Sequence, residues 1–261
     1  MSGVKTPFNA WFIVLIIALG WGCAASIKRE EIIDGEFYFT RGTKMMKKKD
    51  YTKAIEDFQI VVESYRGSAI VDSAQYMLGE AHFIVEEYLT AAFEFERVYI
   101  DFPSSSLAPQ AQYKKALCYY MESPKAILDQ ENTRLAIGEF NRFIDNYPTH
   151  ELVGDAQKKI KELTEKIAYK EYLNAELYRV SKHLDGNLDA ALIYYQHVIK
   201  DYPNSIWTDY ARFGIGQVYF EKKEYDKAKE MFILVVNADV EKELKTQSSK
   251  MIEKIEHIKK K

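Results

Sequence analysis

A 37-residue repeat constrains the fold of this 261-residue chain more than any other feature. Three sets of residues recur at that one spacing: Gly42, Gly79 and Ala116; Phe39, Tyr76 and Tyr113; and Met46, Phe83 and Tyr120. Self-similarity with a period of roughly 20–50 residues indicates stacked supersecondary units, each of which buries its apolar face against its neighbours. We therefore expect an array of repeats rather than one globular core.

A second segment, Tyr-x-x-Ala-x-x-x-Phe-x-x-Val, recurs at residues 51–61, 88–98 and 225–235, with weaker copies at 136–143 and 191–198. Intervals of three and four place these residues on one face of a helix. The small alanine allows two helices to approach closely, and the aromatic ring fills the space beyond it. Pro103, Pro148 and Pro203 follow three of these segments, so we expect the helices to end there.

These positions match the tetratricopeptide (TPR) pattern. The sequence therefore predicts an all-α fold, a right-handed superhelical solenoid of five TPR helical hairpins, at about 35–66, 72–103, 109–148, 168–203 and 209–240. Insertions fall at 123–133 and 182–187, and a long helix over 154–178 should join units three and four. In domain terms we expect units one and two at 35–108, unit three with the connecting helix at 109–167, units four and five at 168–240, and a capping helix at 241–261.

The amino terminus resembles a bacterial lipoprotein signal. Lys5 precedes an apolar run at 11–19, and small residues lead to Cys23, so we expect a signal peptide at 1–22 and a lipidated linker at 23–34. Gly20 stands where such signals usually carry leucine. Two alternatives remain open: an ordinary cleaved signal, and a transmembrane anchor, since about 20 apolar residues span a bilayer. All three place the body of the protein across the inner membrane, and Ala24 rather than Asp favours, by resemblance, the outer membrane.

No constellation of catalytic or metal-binding residues stands out. The five histidines lack the close pairing of metal ligands, and we found no set of nucleophile, base and orienting group. His82 is predicted to be packed and hydrogen-bonded, and Cys118 to be a buried, unreactive thiol. With a net charge of −3 and no basic stripe, the chain is not expected to bind nucleic acid. The sequence thus predicts no enzyme, no cofactor and no metal.

Two aromatic rows form the candidate binding site. At the fifth and twelfth positions of TPR units, side chains usually face the concave groove, and the candidate peptide-binding residues there are Phe39, Met46, Tyr76, Phe83, Tyr113 and Tyr120. The rows continue less regularly as Tyr172, Arg179, Phe213 and Phe220. Such a ladder would suit an extended peptide with alternating apolar side chains. The alternative is that the rings pack between neighbouring first helices and extend the core.

The whole chain resembles the BamD (ComL) family, the TPR lipoproteins of the β-barrel assembly (BAM) machine in Gram-negative outer membranes. Cys23 and its short linker carry the resemblance, together with segments 38–43, 50–58, 72–81, 101–105, 166–178 and 201–205. The resemblance implies a non-catalytic protein on the periplasmic face of the outer membrane, anchored by lipid on Cys23. It implies that the amino-terminal units receive the carboxy-terminal signal of unfolded outer-membrane proteins. The carboxy-terminal units would dock on the periplasmic domains of the barrel subunit BamA, alongside other BAM lipoproteins.

The chain also departs from that family, and other TPR lipoproteins compete with it. Besides Gly20, the departures are the enlarged turn at 182–187 and a short tail, both in the expected docking half. The alternative function is a TPR pilot or scaffold for a type IV pilus secretin or a polysaccharide exporter. Coordinators of envelope constriction usually carry an amino-terminal coiled coil, whereas only residues 26–35 separate Cys23 from the first unit.

Overall fold

The computed structural model describes residues 34–181 and 187–260, and within them the chain is entirely helical. Each helix packs mainly against the helices before and after it in the chain, as expected for stacked hairpins. The predicted all-α TPR array is confirmed. The signal segment, Cys23 and the enlarged turn at 182–186 lie outside the described residues. The eleven helices of the described part are α1 (Gly35–Lys47), α2 (Tyr51–Ser64), α3 (Val71–Ile84), α4 (Tyr88–Asp101), α5 (Ala108–Met121), α6 (Glu131–Asn146), α7 (Val153–Val180), α8 (Leu188–Asp201), α9 (Trp207–Glu221), α10 (Tyr225–Asn237) and α11 (Lys242–Lys259).

The helices pair as α1–α2, α3–α4, α5–α6, the second half of α7 with α8, and α9–α10, and α11 packs on α10. The long helix predicted over 154–178 is observed as the 28-residue α7. Helices α4, α6 and α8 end at Asp101, Asn146 and Asp201, each two residues before a proline. Proline disfavours helical geometry in the residue before it, so these predicted helix ends are confirmed.

Small residues let the two helices of a hairpin approach closely. A Cβ atom added at Gly42 would lie 2.8 Å from the Phe58 ring, and one added at Gly79 would lie 2.8 Å from the Phe95 ring. Real Cβ atoms do not approach rings so closely, because protein interiors are packed to van der Waals contact. In units one and two, the glycine and the aromatic ring are therefore complementary in shape.

Outside residues 182–186, the turns inside the hairpins are of two kinds. In units one, two and five, Lys49, Glu86 and Lys223 adopt positive φ angles of 62°, 64° and 62°. The N–H of the following residue returns to a carbonyl near the helix end, as when Glu87 donates to His82 at 3.0 Å. This closes the helix with a left-handed residue and permits a short turn. Unit three instead uses the longer loop 122–130 between α5 and α6.

Three of the described connectors between units share one capping contact. The N–H of Leu107 donates to Ser105 Oγ, and the N–H of Trp207 donates to Ser205 Oγ, both at 3.2 Å. In the third connector His150 replaces the serine, and its Nδ1 accepts from Leu152 N–H at 3.2 Å. These contacts satisfy amides at the start of the next first helix that lack partners inside the helix.

Candidate binding surfaces

The fifth-position rings lie within the hairpin cores. Tyr76 packs on Phe95 with ring centroids 5.4 Å apart, and Tyr113 packs on Phe140 at 5.6 Å. Only 8% of Tyr76 and 7% of Tyr113 is exposed. Phe39, at the amino-terminal edge, is half-buried. Because most of the tyrosine ring surface contacts the second helix, these two residues support the site more than they offer a contact surface.

The hydroxyl groups of the same tyrosines stay protonated. Burial raises the pKa of Tyr76, and the nearby Glu80 carboxylate raises it further. Burial likewise raises the pKa of Tyr113, whose hydroxyl donates a hydrogen bond to Asp155 at the start of α7. A hydrogen bond from the phenol to a carboxylate favours the protonated, neutral form of the tyrosine. The Tyr113 bond therefore ties unit three to the following helix.

The twelfth-position rings are covered by lysines from the next first helix. Lys114 Nζ lies 5.0 Å from the centroid of Phe83, and Lys159 Nζ lies 4.6 Å from that of Tyr120. At the carboxy-terminal end, Lys254 of α11 takes the same position 4.9 Å from Phe220. Such cation–π contacts contribute about 0.5–1 kcal/mol each at exposed sites. The side chains at the twelfth position thus link the helix that carries them to a later helix.

Two other residues at the twelfth position make such a link without an aromatic ring. Arg179 on α7 forms an ion pair with Glu221 on α9 at 3.2 Å. Met46 packs beside the cluster of Ala54, Phe58 and Leu78. The alternative reading of the rows, as packing between repeats, therefore describes much of what these side chains do.

The face formed by the first helices of units two and three still exposes ring edges beside charges. Phe83 and Tyr120 remain partly accessible. Lys114 pairs with Glu80 at 2.8 Å, and the Tyr120 hydroxyl donates to Glu162 at 2.8 Å. We call Phe39, Met46, Phe83 and Tyr120 the ring strip. The covering lysines were missed in the sequence because each stands at a different separation from its ring, so no fixed period reveals them. Peptide binding by the six candidate residues stays a prediction.

The two residues singled out for their chemistry are buried as expected. His82 is buried, with its Nδ1 2.6 Å from Glu87 Oε2, so the packed, hydrogen-bonded histidine is confirmed. Burial raises the pKa of the Cys118 thiol to about 12, which keeps it protonated and unreactive at neutral pH. Over residues 34–181 and 187–260, no group of His, Cys, Asp or Glu side chains is arranged to hold a metal ion. No helix in that same part is long and apolar enough to cross a membrane.

Comparison with known proteins shows which family the sequence matches. A model of a family described as "YfiO: Outer membrane lipoprotein" matches residues 33–230. The outer membrane protein assembly factor BamD of Caulobacter vibrioides is 25% identical over 210 residues, covering 79% of this chain and 68% of that protein. The protein of the same name from Rickettsia prowazekii is 26% identical over 226 residues, covering 86% and 88%.

Solved structures similar to this chain include TPR proteins. The TPR2AB domain of yeast Sti1, solved in complex with pHSP90, has a TM-score of 0.45 and 13% identity, and the match covers 78% of this chain and 77% of that one. A TPR-repeat protein from Bacteroides fragilis has a TM-score of 0.46 and 15% identity, covering 86% and 99%. The family model covers the first four helical hairpins and α9, and it ends at residue 230 within α10. On that match, the chain belongs to the YfiO family of outer membrane lipoproteins.

Proposed function

We propose that this chain is a non-catalytic component of the machinery that assembles β-barrel proteins into the outer membrane. The observation that carries the proposal is the family match over residues 33–230, which takes in the first four helical hairpins, α9 and the first part of α10. Two relatives named outer membrane protein assembly factor BamD, 25% and 26% identical, support the same role. An array of hairpins with large lateral faces suits a scaffold that holds other polypeptides.

Within this role, the amino-terminal units would receive the carboxy-terminal signal of unfolded outer-membrane proteins. The ring strip supports this proposal, since its half-buried side chains lie beside lysine and carboxylate groups. An extended segment ending in an aromatic residue could place its apolar side chains on the ring edges and its backbone near the charged groups. Tyr76 and Tyr113 would act from beneath, by holding the first helices against their partners.

The carboxy-terminal units would dock on the periplasmic domains of a BamA-like barrel subunit, together with other lipoproteins of the complex. Exposed apolar residues support an interface in this half. Leu177 and Val180 at the end of α7, Ile193 on α8 and Ile206 before α9 are each more than half exposed. These four side chains are exposed enough to take part in a protein–protein contact.

We further propose that Cys23 carries the lipid that holds the protein at the periplasmic face of the outer membrane. Each buried methylene contributes about 0.8 kcal/mol, so two or more acyl chains anchor a protein durably. Replacing Cys23 with alanine should release the chain from the outer-membrane fraction. Persistence of the variant at the same density would contradict the lipid anchor.

The decisive experiment is gentle solubilisation of membranes that contain a chain tagged at its carboxy terminus. A large β-barrel protein with repeated periplasmic domains, recovered in near-stoichiometric amount, would support the assembly role. Recovery of a pilus secretin or a polysaccharide exporter instead would refute it in favour of the pilot or scaffold function.

The ring strip has a sharper test with a matched control. Phe83→Ser should weaken binding of a synthetic peptide that ends in an aromatic residue, because the exposed ring edge is lost. Phe93→Ser removes a phenylalanine that is 57% exposed on the neighbouring helix α4, outside the strip. Fluorescence titration of both variants should show weaker binding only for the first. Equal affinities would refute the site.

A further inference from the structure

Gly138 lies inside α6 without an internal contact that requires glycine. A Cβ atom added there would meet nothing within 4 Å, whereas at Gly42 and Gly79 it would collide with a phenylalanine ring. Glycine weakens a helix interior relative to alanine, because it loses more backbone freedom on folding. In proteins generally, a glycine also permits another chain to approach the backbone closely. Nothing in the described part of this chain makes that approach at Gly138.

The open space at Gly138 is part of a surface groove of about 300 Å³. Glu139 lines the groove and is only 5% exposed, and its Oε2 atom has no hydrogen-bond partner among the described residues. The other oxygen, Oε1, accepts from Arg142 at 2.5 Å and lies 3.3 Å from Lys115 Nζ. The Glu139 carboxylate therefore helps to hold the wall of the groove, and its second oxygen is shielded from outside groups.

The rim of the groove carries one arginine that forms no ion pair in the described part of the chain. Arg134 is exposed, and its guanidinium forms no ion pair or hydrogen bond within the ranges 34–181 and 187–260. Arg142 is also largely exposed, although it is bonded to Glu139. A planar guanidinium with free donors suits a carboxylate, which it can bind through two parallel hydrogen bonds. An acidic side chain is therefore the complement of this rim.

The loop 122–130 precedes the groove and is rigidly built. Gln130 is fully buried, and its side-chain amide donates to the carbonyls of Lys125 and Leu128 at 2.9 and 3.0 Å. From α7, Lys166 donates to Ser123 Oγ at 2.8 Å, and Lys170 donates to the Leu128 carbonyl at 2.7 Å.

This rigid loop nevertheless holds two apolar side chains in solvent. Ile127 is 71% exposed and Leu128 is 53% exposed. Leu135, which is 41% exposed, lines the groove one turn inside α6. A preorganised apolar surface loses little entropy on binding, and exposed apolar groups of this kind mark interaction sites.

We infer that the loop 122–130 and the α6 groove form a docking surface for an extended segment of a partner protein. The segment places an acidic side chain on Arg134 and an apolar side chain on Ile127, Leu128 and Leu135. Its backbone passes over Gly138, where α6 has no side chain to keep it away. An extended segment fits because its backbone can approach closely at the glycine while its side chains reach to either side.

This surface lies on the second helix of unit three, apart from the ring strip, so the inference goes beyond the proposed peptide site. It holds whichever envelope machine contains the chain. Failure to recover a β-barrel partner would refute the proposed function and leave this inference standing.

The test uses the full-length chain in cells, with a photoreactive amino acid in place of Leu135. We expect adducts with one polypeptide, through a segment that carries Asp or Glu next to an apolar residue. Arg134→Glu should lower the adduct yield about tenfold, because an attractive charge pair becomes repulsive. Replacement of the mapped acid in the partner by lysine should restore the yield. The same probe at Leu89, which is exposed on α4, serves as the control and should not label that segment.

Variants at Gly138 separate docking from folding. Gly138→Ala should raise the Tm, since it strengthens the helix, and yet lower the adduct yield, since it obstructs the groove. Gly138→Met should abolish the adduct. Gly154→Ala, also in open space near the start of α7, should leave the yield unchanged. The inference is overturned by no adduct at Leu135, by adducts only with phospholipid or a second copy of this chain, or by full yield in Gly138→Met.

Discussion

Gly79 and Gly138 show how one residue type serves opposite purposes in this chain. At Gly79 the missing side chain makes room for the Phe95 ring of the same hairpin. At Gly138 the space above the helix is open. Substitution by alanine therefore tests two different physical effects, overpacking in one case and helix propensity in the other.

Gly79→Ala should destabilise the fold by about 1–2 kcal/mol, because the cost of overpacking exceeds the gain in helix propensity. Gly138→Ala should stabilise it by up to about 1 kcal/mol. Urea unfolding followed by circular dichroism measures both free energies. Shifts of the same sign would show that Phe95 is not in tight contact with Gly79.

Cys118 should be unreactive while the protein is folded. The buried thiol has its pKa raised to about 12, far above the ordinary value, so little thiolate exists at pH 8. A Cys23→Ala variant leaves Cys118 as the sole thiol, since the chain has two cysteines. A chromogenic disulfide reagent should react with it slowly in buffer and rapidly in urea. Equally fast reaction in both would contradict its burial.

At the scale of elements, the hairpin turns that the structure describes, those of units one, two, three and five, divide into short turns and one structured loop. The short turns close on a residue with positive φ, at Lys49, Glu86 and Lys223. The loop 122–130 instead depends on the buried Gln130, whose side chain takes the place of backbone hydrogen bonds. The loop should therefore become less ordered when the Gln130 side chain is removed.

Gln130→Ala should cost about 1–3 kcal/mol, because the fully buried side chain and its hydrogen bonds to the loop carbonyls are lost. Hydrogen exchange should become faster across 122–130 and remain unchanged in α1–α4. Gln157→Ala, at an exposed glutamine on α7, provides the control and should change neither quantity. Unaltered exchange in the loop would mean that Lys166 and Lys170 suffice to hold it.

For the whole molecule, stability is spread along the array, since each helix packs chiefly on its chain neighbours. Buried tyrosines recur along this array and share one electrostatic property. Burial is the leading cause that raises the pKa of each of four of them, namely Tyr76, Tyr113, Tyr172 and Tyr195. Their protonated state is therefore coupled to folding in every unit from two to four.

The array should accordingly lose stability at alkaline pH. A folded-state pKa above the unfolded value of about 10 means that the stabilisation is complete below about pH 10 and is lost as the pH rises further. Thermal melting at increasing pH should show the Tm falling there. The tyrosinate absorbance of these four residues should appear only together with loss of helical circular dichroism. Ionisation of all 19 tyrosines with the helices intact would contradict the prediction.

The sequence by itself determined the helices, their order and the ends set by Pro103, Pro148 and Pro203. These features depend on spacings of three, four and 37 residues and on the backbone chemistry of proline, which act locally or repeat regularly. Family resemblance, carried by the same segments, also followed from the sequence alone. The buried state of His82 and Cys118 was predictable for the same reason, because each lies on an apolar helix face.

Only the tertiary structure decided which aromatic rings are covered and by what. Tyr76 and Phe83 look alike in the repeat, yet one packs on Phe95 of its own hairpin and the other lies beneath Lys114 of the next unit. Gly79 and Gly138 likewise differ only in what stands above them. The physical reason is that burial and charge depend on contacts between helices far apart in the chain. The irregular lengths of loop 122–130 and helix α7 shift those contacts out of the repeating register.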